Sequence, residues 1–340
     1  MRKTPTMRRL VAETRLGADD LIAPLFIREG IGSAVAIESL PGVMQHTIDS
    51  AIAEVAELER LGVGAVILFG VPEHKDASGS GAFDPEGIVQ KALRRMRAEF
   101  GDAMVLIADL CVDEYTDHGH CGVLDDHGAV INDATVELYA KIAIAQAQAG
   151  ADIVAPSGMM DGQVAAIRTA LDNSGFSEVV IMAYAAKYAS AFYGPFRDAV
   201  DVTIADGGDR CGYQQDPRNA REAMLEITLD LEEGADMVMV KPAGPYLDIV
   251  AKANELSNVP VVAYQVSGEY AMIKAAEQNG WLDGEAAMVE SLMGMKRAGA
   301  DLILTYFARS AAELFAAQQL ALGTGPAALR PATPELESGA

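Results

Sequence analysis

Positive charge is scarce in this sequence: 26 Lys and Arg stand against 49 Asp and Glu, a net charge of −23. A surface of that sign repels nucleic acid and anionic membranes, so the expected partners are small molecules or further copies of the chain. Cysteine is scarcer still. Cys111, Cys121 and Cys211 are an odd number at spacings that build no disulfide framework, which argues against a disulfide-stapled secreted domain and leaves thiols for metals or packing. No apolar run approaches the roughly eighteen residues that span a bilayer. The opening "MRKTPTMRRLVAETRLGADD" lacks the apolar core of a secretory signal, and no G-x-G-x-x-G follows the first apolar runs. These absences predict a cytoplasmic protein with no membrane or nucleic-acid partner and no dinucleotide site.

What is present is hydrophobic: 50% of the 340 residues are apolar, enough for one large core. Short apolar runs recur at 21–27, 65–71, 104–110, 152–158, 178–184, 236–242, 261–267 and 302–308. Between them lie stretches with helical spacing, such as "TIDSAIAEVAELERLG" and "NDATVELYAKIAIAQAQAG". The joints "LGVGAVIL", "QAGADIVA", "EEGADMVM" and "RAGADLIL" share one form, a Gly at the end of a helix followed at once by a strand. Eight continuous apolar strands alternating with helices predict a (β/α)8 TIM-type barrel, with a doubly wound open sheet as the alternative. The expected organisation is an N-terminal arm at 1–18, one catalytic barrel at 19–320, and a mobile tail at 321–340, where Ala, Gly, Pro and Thr show no periodicity.

In such a barrel the chemistry sits at the C-terminal ends of the strands. Asp109, Ser157, Lys187, Lys241, Ser267 and Tyr306 stand at or near those ends. A lysine there, walled by apolar residues and close to a second cation, has its charged form disfavoured by desolvation and by like charge. Its neutral amine can then attack a carbonyl and form a Schiff base. A single strand-end lysine is as readily a salt-bridged structural residue or a phosphate clamp; two on neighbouring strands favour chemistry.

Five stretches, "DEYTDHGHCGVL", "MAYAAKYASAFYGPFRD", "GDRCGYQ", "MVMVKPAGPYLDIV" and "AYQVSGEYAMIK", together resemble the porphobilinogen synthase family, also called 5-aminolevulinate dehydratase. The resemblance runs from about residue 5 to about residue 318. It implies a hydro-lyase that condenses two 5-aminolevulinate molecules into porphobilinogen, with loss of two waters, for tetrapyrrole (heme) synthesis, without an organic cofactor. It further implies Lys241 as the Schiff-base lysine for one substrate and Lys187 for the other. Ser267 and Tyr306 would hold the first carboxylate, and Arg197, Arg210 and Gln214 the second; a guanidinium fork suits that task. Asp109 and Ser157 match supporting positions in the pocket. The stretch 188–217, which carries Arg197 and Arg210, reads as a lid over the bound pair.

Zinc-dependent relatives carry three cysteines where this chain has Cys111, Asp113 and Cys121. Two thiolates and a carboxylate leave a mixed zinc site open, with a metal-free polar loop as the expectation. His120 and Cys211 resemble a second zinc pair of some relatives. Glu226 matches an acidic residue through which many relatives bind Mg²⁺ at a subunit contact. The family assembles through its N-terminal arm. Here the arm is short, which leaves octamer, hexamer and dimer open for the expected homo-oligomer. Two rival readings are a class I aldolase, which needs one lysine, and a non-catalytic barrel that binds a small acid; the second lysine and the two-carboxylate equipment speak against both.

Overall fold

The structure, a computed structural model, describes residues 1–204 and 208–321. All eight apolar runs are strands: β1 (Leu21–Arg28), β4 (Ala65–Val71), β5 (Val105–Leu110), β6 (Ile153–Pro156), β7 (Val180–Lys187), β8 (Met237–Lys241), β9 (Val261–Gln265) and β10 (Leu302–Thr305). Each pairs in parallel with the next, and β10 returns to β1 through Leu21↔Ile303, so the ring is closed and the open-sheet alternative is excluded. The strands do not alternate because both faces are covered, one by the barrel interior and one by helices. Phe26, Phe69, Tyr184 and Tyr264 from four different strands are buried.

The four shared joints behave as their chemistry requires. Gly62, Gly150, Gly234 and Gly299 take φ of 89°, 102°, 100° and 112°, the left-handed conformation in which a side chain is disfavoured. In three of them the Asp that follows does further work. Asp152, Asp236 and Asp301 each accept a hydrogen bond from a backbone N–H of the preceding strand, at Leu106 (2.8 Å), Ile181 (2.9 Å) and Val261 (2.8 Å).

A hairpin of β2 (Val35–Ala36) and β3 (Met44–His46) was not anticipated from the sequence. β10 pairs with β1 only at Leu21 and Ile22, and β3 takes the upper part of that strand, at Phe26 and Ile27. The hairpin therefore brings Gln45 to the upper rim. In the arm, α1 (Pro5–Leu10) has no buried residue. The last long helix closes at Ala321, so the tail expected at 321–340 lies otherwise outside the described residues.

One irregularity positions the chemistry. Ala183 pairs with Val238, but Ala186 pairs with Val240 and Lys187 with Lys241, so β7 carries one extra residue between those points. Had the first register continued, Ala186 would stand opposite Lys241. The bulge re-aims the strand end and brings the two lysines side by side.

Candidate active site

Lys187 and Lys241 are the last residues of β7 and β8, and both are buried. The Lys187 amine donates to the Ser157 carbonyl at 2.5 Å. The Lys241 amine sits among four aromatic rings, 4.3 Å from the centre of Tyr264, 5.1 Å from Tyr184 and 5.2 Å from both Tyr193 and Phe196. Such faces stabilise a cation but do not replace its hydration. Burial, reinforced by Lys187, pulls the Lys241 amine down to about 7, with Asp109 opposing the shift. Burial likewise pushes the Asp109 carboxyl up to about 6 against the pull of Lys241 and Lys187. The Ser157 hydroxyl donates to Asp109 at 3.2 Å.

The structure brings seven of the expected residues to one cavity: Asp109, Asp113, Ser157, Lys187, Arg197, Arg210 and Lys241. The free space among them is about 20 Å³. Among the described residues the buried Asp109 Oδ1 and Arg210 Nε find no hydrogen-bond partner, an acceptor and a donor on two residues that line this cavity.

Arg210 has a partner the sequence did not disclose. Its guanidinium meets Asp113 at 2.8 Å and donates to the Gly119 carbonyl at 2.8 Å. Burial alone would raise the Asp113 carboxyl; Arg210 and then Lys187 outweigh it and hold it well below the usual carboxylate range. Asp113 also converges with Cys111 and Cys121, one donor atom of each lying within 4.8 Å of the others. Burial pushes the Cys111 thiol up, while a hydrogen bond from Cys111 draws the Cys121 thiol down to about 7. This buried group could hold a metal, and its two sulfurs and one oxygen suit a borderline ion.

Three expected substrate contacts lie off this cavity. Ser267 is buried, but its hydroxyl accepts from the Phe196 N–H at 3.0 Å and donates to the Phe192 carbonyl at 3.3 Å. The Tyr306 hydroxyl meets that of Tyr264 at 3.2 Å, and its ring borders a separate space of about 520 Å³. Gln214, its amide nitrogen without a partner among the described residues, borders a third space of about 590 Å³ together with His120, Cys211 and Glu226. Burial raises the Glu226 carboxyl, and Asp161, Glu222 and Glu233 add to the shift.

The sequence reading missed Glu114 and the ring cage. Glu114 is buried on the cavity wall, its carboxyl pushed well up by burial and by Asp113 and Asp109. Its signal was an acid pair, Asp113–Glu114, directly after an apolar strand. The cage had a fainter one: Tyr184 three residues before Lys187, and Tyr264 in the next strand after Lys241.

Comparison with known proteins gives the family. A family profile described as delta-aminolevulinic acid dehydratase matches residues 1–314. A delta-aminolevulinic acid dehydratase of Streptomyces coelicolor is 60% identical over 92% of this chain and 94% of its own. One from Mycobacterium tuberculosis is 59% identical, with 92% and 95% covered. Among solved structures, delta-aminolevulinic acid dehydratase of Toxoplasma gondii, in complex with the reaction product porphobilinogen, superposes with a TM-score of 0.90. It is 44% identical, with 92% of this chain and 89% of that one covered.

Proposed function

This chain belongs to the delta-aminolevulinic acid dehydratase family of lyases, and from that premise we propose that it condenses two 5-aminolevulinate molecules to porphobilinogen through Schiff bases on Lys241 and Lys187. The observation that carries the reading is the in-register pair of buried lysines, one of them with its amine near neutrality at pH 7. A neutral Lys241 attacks the substrate ketone, the resulting carbinolamine loses water, and the product is a cationic iminium. The four-ring cage suits that charge, and Asp109 is placed to give or take the proton. Lys187, beside Ser157, holds the second ketone in the same way. With both ketones bound, condensation is a reaction between two groups held in one site, where proximity removes much of the entropic barrier.

Arg210 and Arg197 receive the carboxylate of the second substrate, and the Arg210 Nε, which has no partner among the described residues, supports this assignment. Ser267 reaches substrate by turning its hydroxyl proton from the Phe192 carbonyl to the carboxylate while still accepting from the Phe196 N–H, and Tyr306 and Gln214 become contacts once the cavity walls shift. A metal held by Cys111, Asp113 and Cys121 would supply Lewis acidity beside Lys187. Arg210 already neutralises Asp113 there, which supports turnover without one. Glu226 and its acidic neighbours are oxygen donors of the kind that Mg²⁺ takes.

Homo-oligomerisation fits the arm. Arg2, Lys3, Arg8, Arg9 and Arg15 stand there against Glu13 alone, on a chain otherwise strongly acidic. Among the described residues no helix is long and apolar enough to cross a membrane.

The test is chemical. Incubation with 5-aminolevulinate is expected to yield a pyrrole that reacts with Ehrlich's reagent, and borohydride to trap an adduct on Lys241. Lys241→Met is expected to lose adduct and turnover; Lys187→Met is expected to lose turnover while the Lys241 adduct still forms. A fully active Lys241→Met enzyme overturns the reading.

A further inference from the structure

The segment that leaves β7 at Tyr188 rejoins it at Gln215, where Ala189 donates to the Gln215 carbonyl (2.9 Å) and Gln215 to the Lys187 carbonyl (3.0 Å). Between these points it carries a short helix, α6 (Gly194–Ala199). β7 is the fifth strand of the ring, yet α6 is fastened to side chains beside the first two, across the barrel mouth.

The fastening is concentrated at the C-terminal end of α6, where helix carbonyls have no internal partners. The Ala199 carbonyl accepts from the Gln45 amide at 2.7 Å. Lys75 donates to the next two carbonyls, Val200 at 3.3 Å and Asp201 at 2.8 Å. A cation suits that end of a helix. Arg28, the last residue of β1, joins the two contacts: it donates to Gln45 at 2.6 Å and pairs with the Asp201 carboxylate at 2.8 Å.

Asp201 itself is informative. It ends α6 in the left-handed conformation, φ 50°, while Val202 donates back to Arg197 (3.0 Å). Glycine is the usual residue at this position of a helix end. An aspartate there carries backbone strain, and its carboxylate is engaged with Arg28. The other end of α6 is held by Ser267 at the Phe196 N–H. Phe196 and Arg197 lie between the two fastenings, over Lys241 and on its cavity.

We propose that Lys75, with Gln45, Arg28 and Asp201, forms a latch that holds α6 closed over the two lysines, and that these four are positioning residues for Phe196 and Arg197. The closed cavity of about 20 Å³ has room for about one water. Two keto acids cannot enter it, so the latch opens and re-forms in every turnover. Weakening it lowers the fraction of loaded enzyme in which α6 re-closes over the bound pair, and with it apparent substrate affinity. The inference rests on the lysine cavity being the active site, but the latch itself can be read without turnover.

Amide hydrogen exchange of the peptide covering 192–202, thermal melting and steady-state kinetics are measured on full-length wild type, Lys75→Met, Lys75→Arg and Asp201→Gly. Lys75→Met is expected to speed exchange by about tenfold or more and to raise KM by a similar factor, with a smaller change in kcat. Lys75→Arg, which keeps the donors, is expected to recover most of both. Asp201→Gly is expected to melt no lower than wild type, because the strain is relieved, yet to exchange faster. Wild-type exchange in both Lys75→Met and Asp201→Gly overturns the latch, as does a Lys75→Met defect that Lys75→Arg does not repair. A wild-type protein that makes no pyrrole overturns the function instead, and exchange still reports on the latch.

Discussion

A lysine in water stays mostly protonated up to about pH 10, and the environment of Lys241 works against that. With the amine drawn down to about 7 by burial and by Lys187, the neutral form grows as pH rises through that value. Activity is therefore expected to climb through pH 7 and level off above it, in a kcat/KM profile; a flat profile from pH 5.5 to 9 contradicts a titrating amine. The sign for stability is the same. The unfolded chain binds more protons than the fold between about 7 and the ordinary lysine value, so Lys241 costs less stability as pH rises across that window. Arg210 neutralises Asp113 and, on the proposed function, also binds a carboxylate. Removing one partner of a buried charged pair costs about 2–5 kcal/mol, so Arg210→Ala is expected to lower kcat/KM by at least about 30-fold. Asp113→Asn added to it should restore stability but not kcat/KM, which separates the two roles. The lysines, Asp109 and Ser157 were legible because strand ends in a barrel point to one face. Arg197 and Arg210 were legible only through their motifs. Ser267, Tyr306 and Gln214 show the limit of that reading, since their hydroxyls and amide face wherever packing turns them, and sequence spacing does not encode the turn.

Strands and joints were the most legible elements. The eight apolar runs match the strands to within a few residues because a strand buried on both faces must be apolar throughout. β2 and β3 escaped notice because segments of two and three residues have no period to detect. The Gly of each joint was readable, but the Asp after it was not, because its partner lies in the preceding strand, 40 to 55 residues away. Asp301→Ala leaves the Val261 N–H without its acceptor side chain at the base of the barrel. It is expected to cost about 1–3 kcal/mol, seen in urea unfolding, with KM unchanged because the joint lies at the end of the barrel away from the lysines. A KM change of the size seen for Arg210→Ala contradicts that division between a stabilising base and a reactive rim.

At the scale of the molecule, an acidic chain gathers four cations at one cavity, Lys187, Lys241, Arg197 and Arg210, and on the proposed function these hold anionic substrates against its own field. Because Arg210 already supplies positive charge at Asp113, the mixed Cys–Asp–Cys group has less need of a metal than three thiolates would. Exhaustive treatment with a zinc-selective chelator is expected to leave most activity, and Cys111→Ser with Cys121→Ser to be tolerated. Loss of activity with about one zinc per site, restored by zinc alone, reverses that expectation. The closed ring was legible from strand count and continuous burial. Assembly was not, because arm residues that are exposed on one chain carry no trace in their spacing of what they meet on another.

The cage around Lys241 also makes the site visible to light. Tyr184, Tyr193 and Tyr264 lie within 5.2 Å of the amine, so a charge gained or lost there acts directly on three phenolic chromophores. The sole tryptophan, Trp281, is 78% exposed just beyond α9 (Ser267–Gln278), about 20 Å from the helix end that carries Ser267. Its emission reports on solvent and is a constant background to the chemistry. Tyrosine absorption in the near ultraviolet is then expected to follow the protonation of a single lysine and, on the proposed function, its conversion to an iminium, in the unlabelled protein.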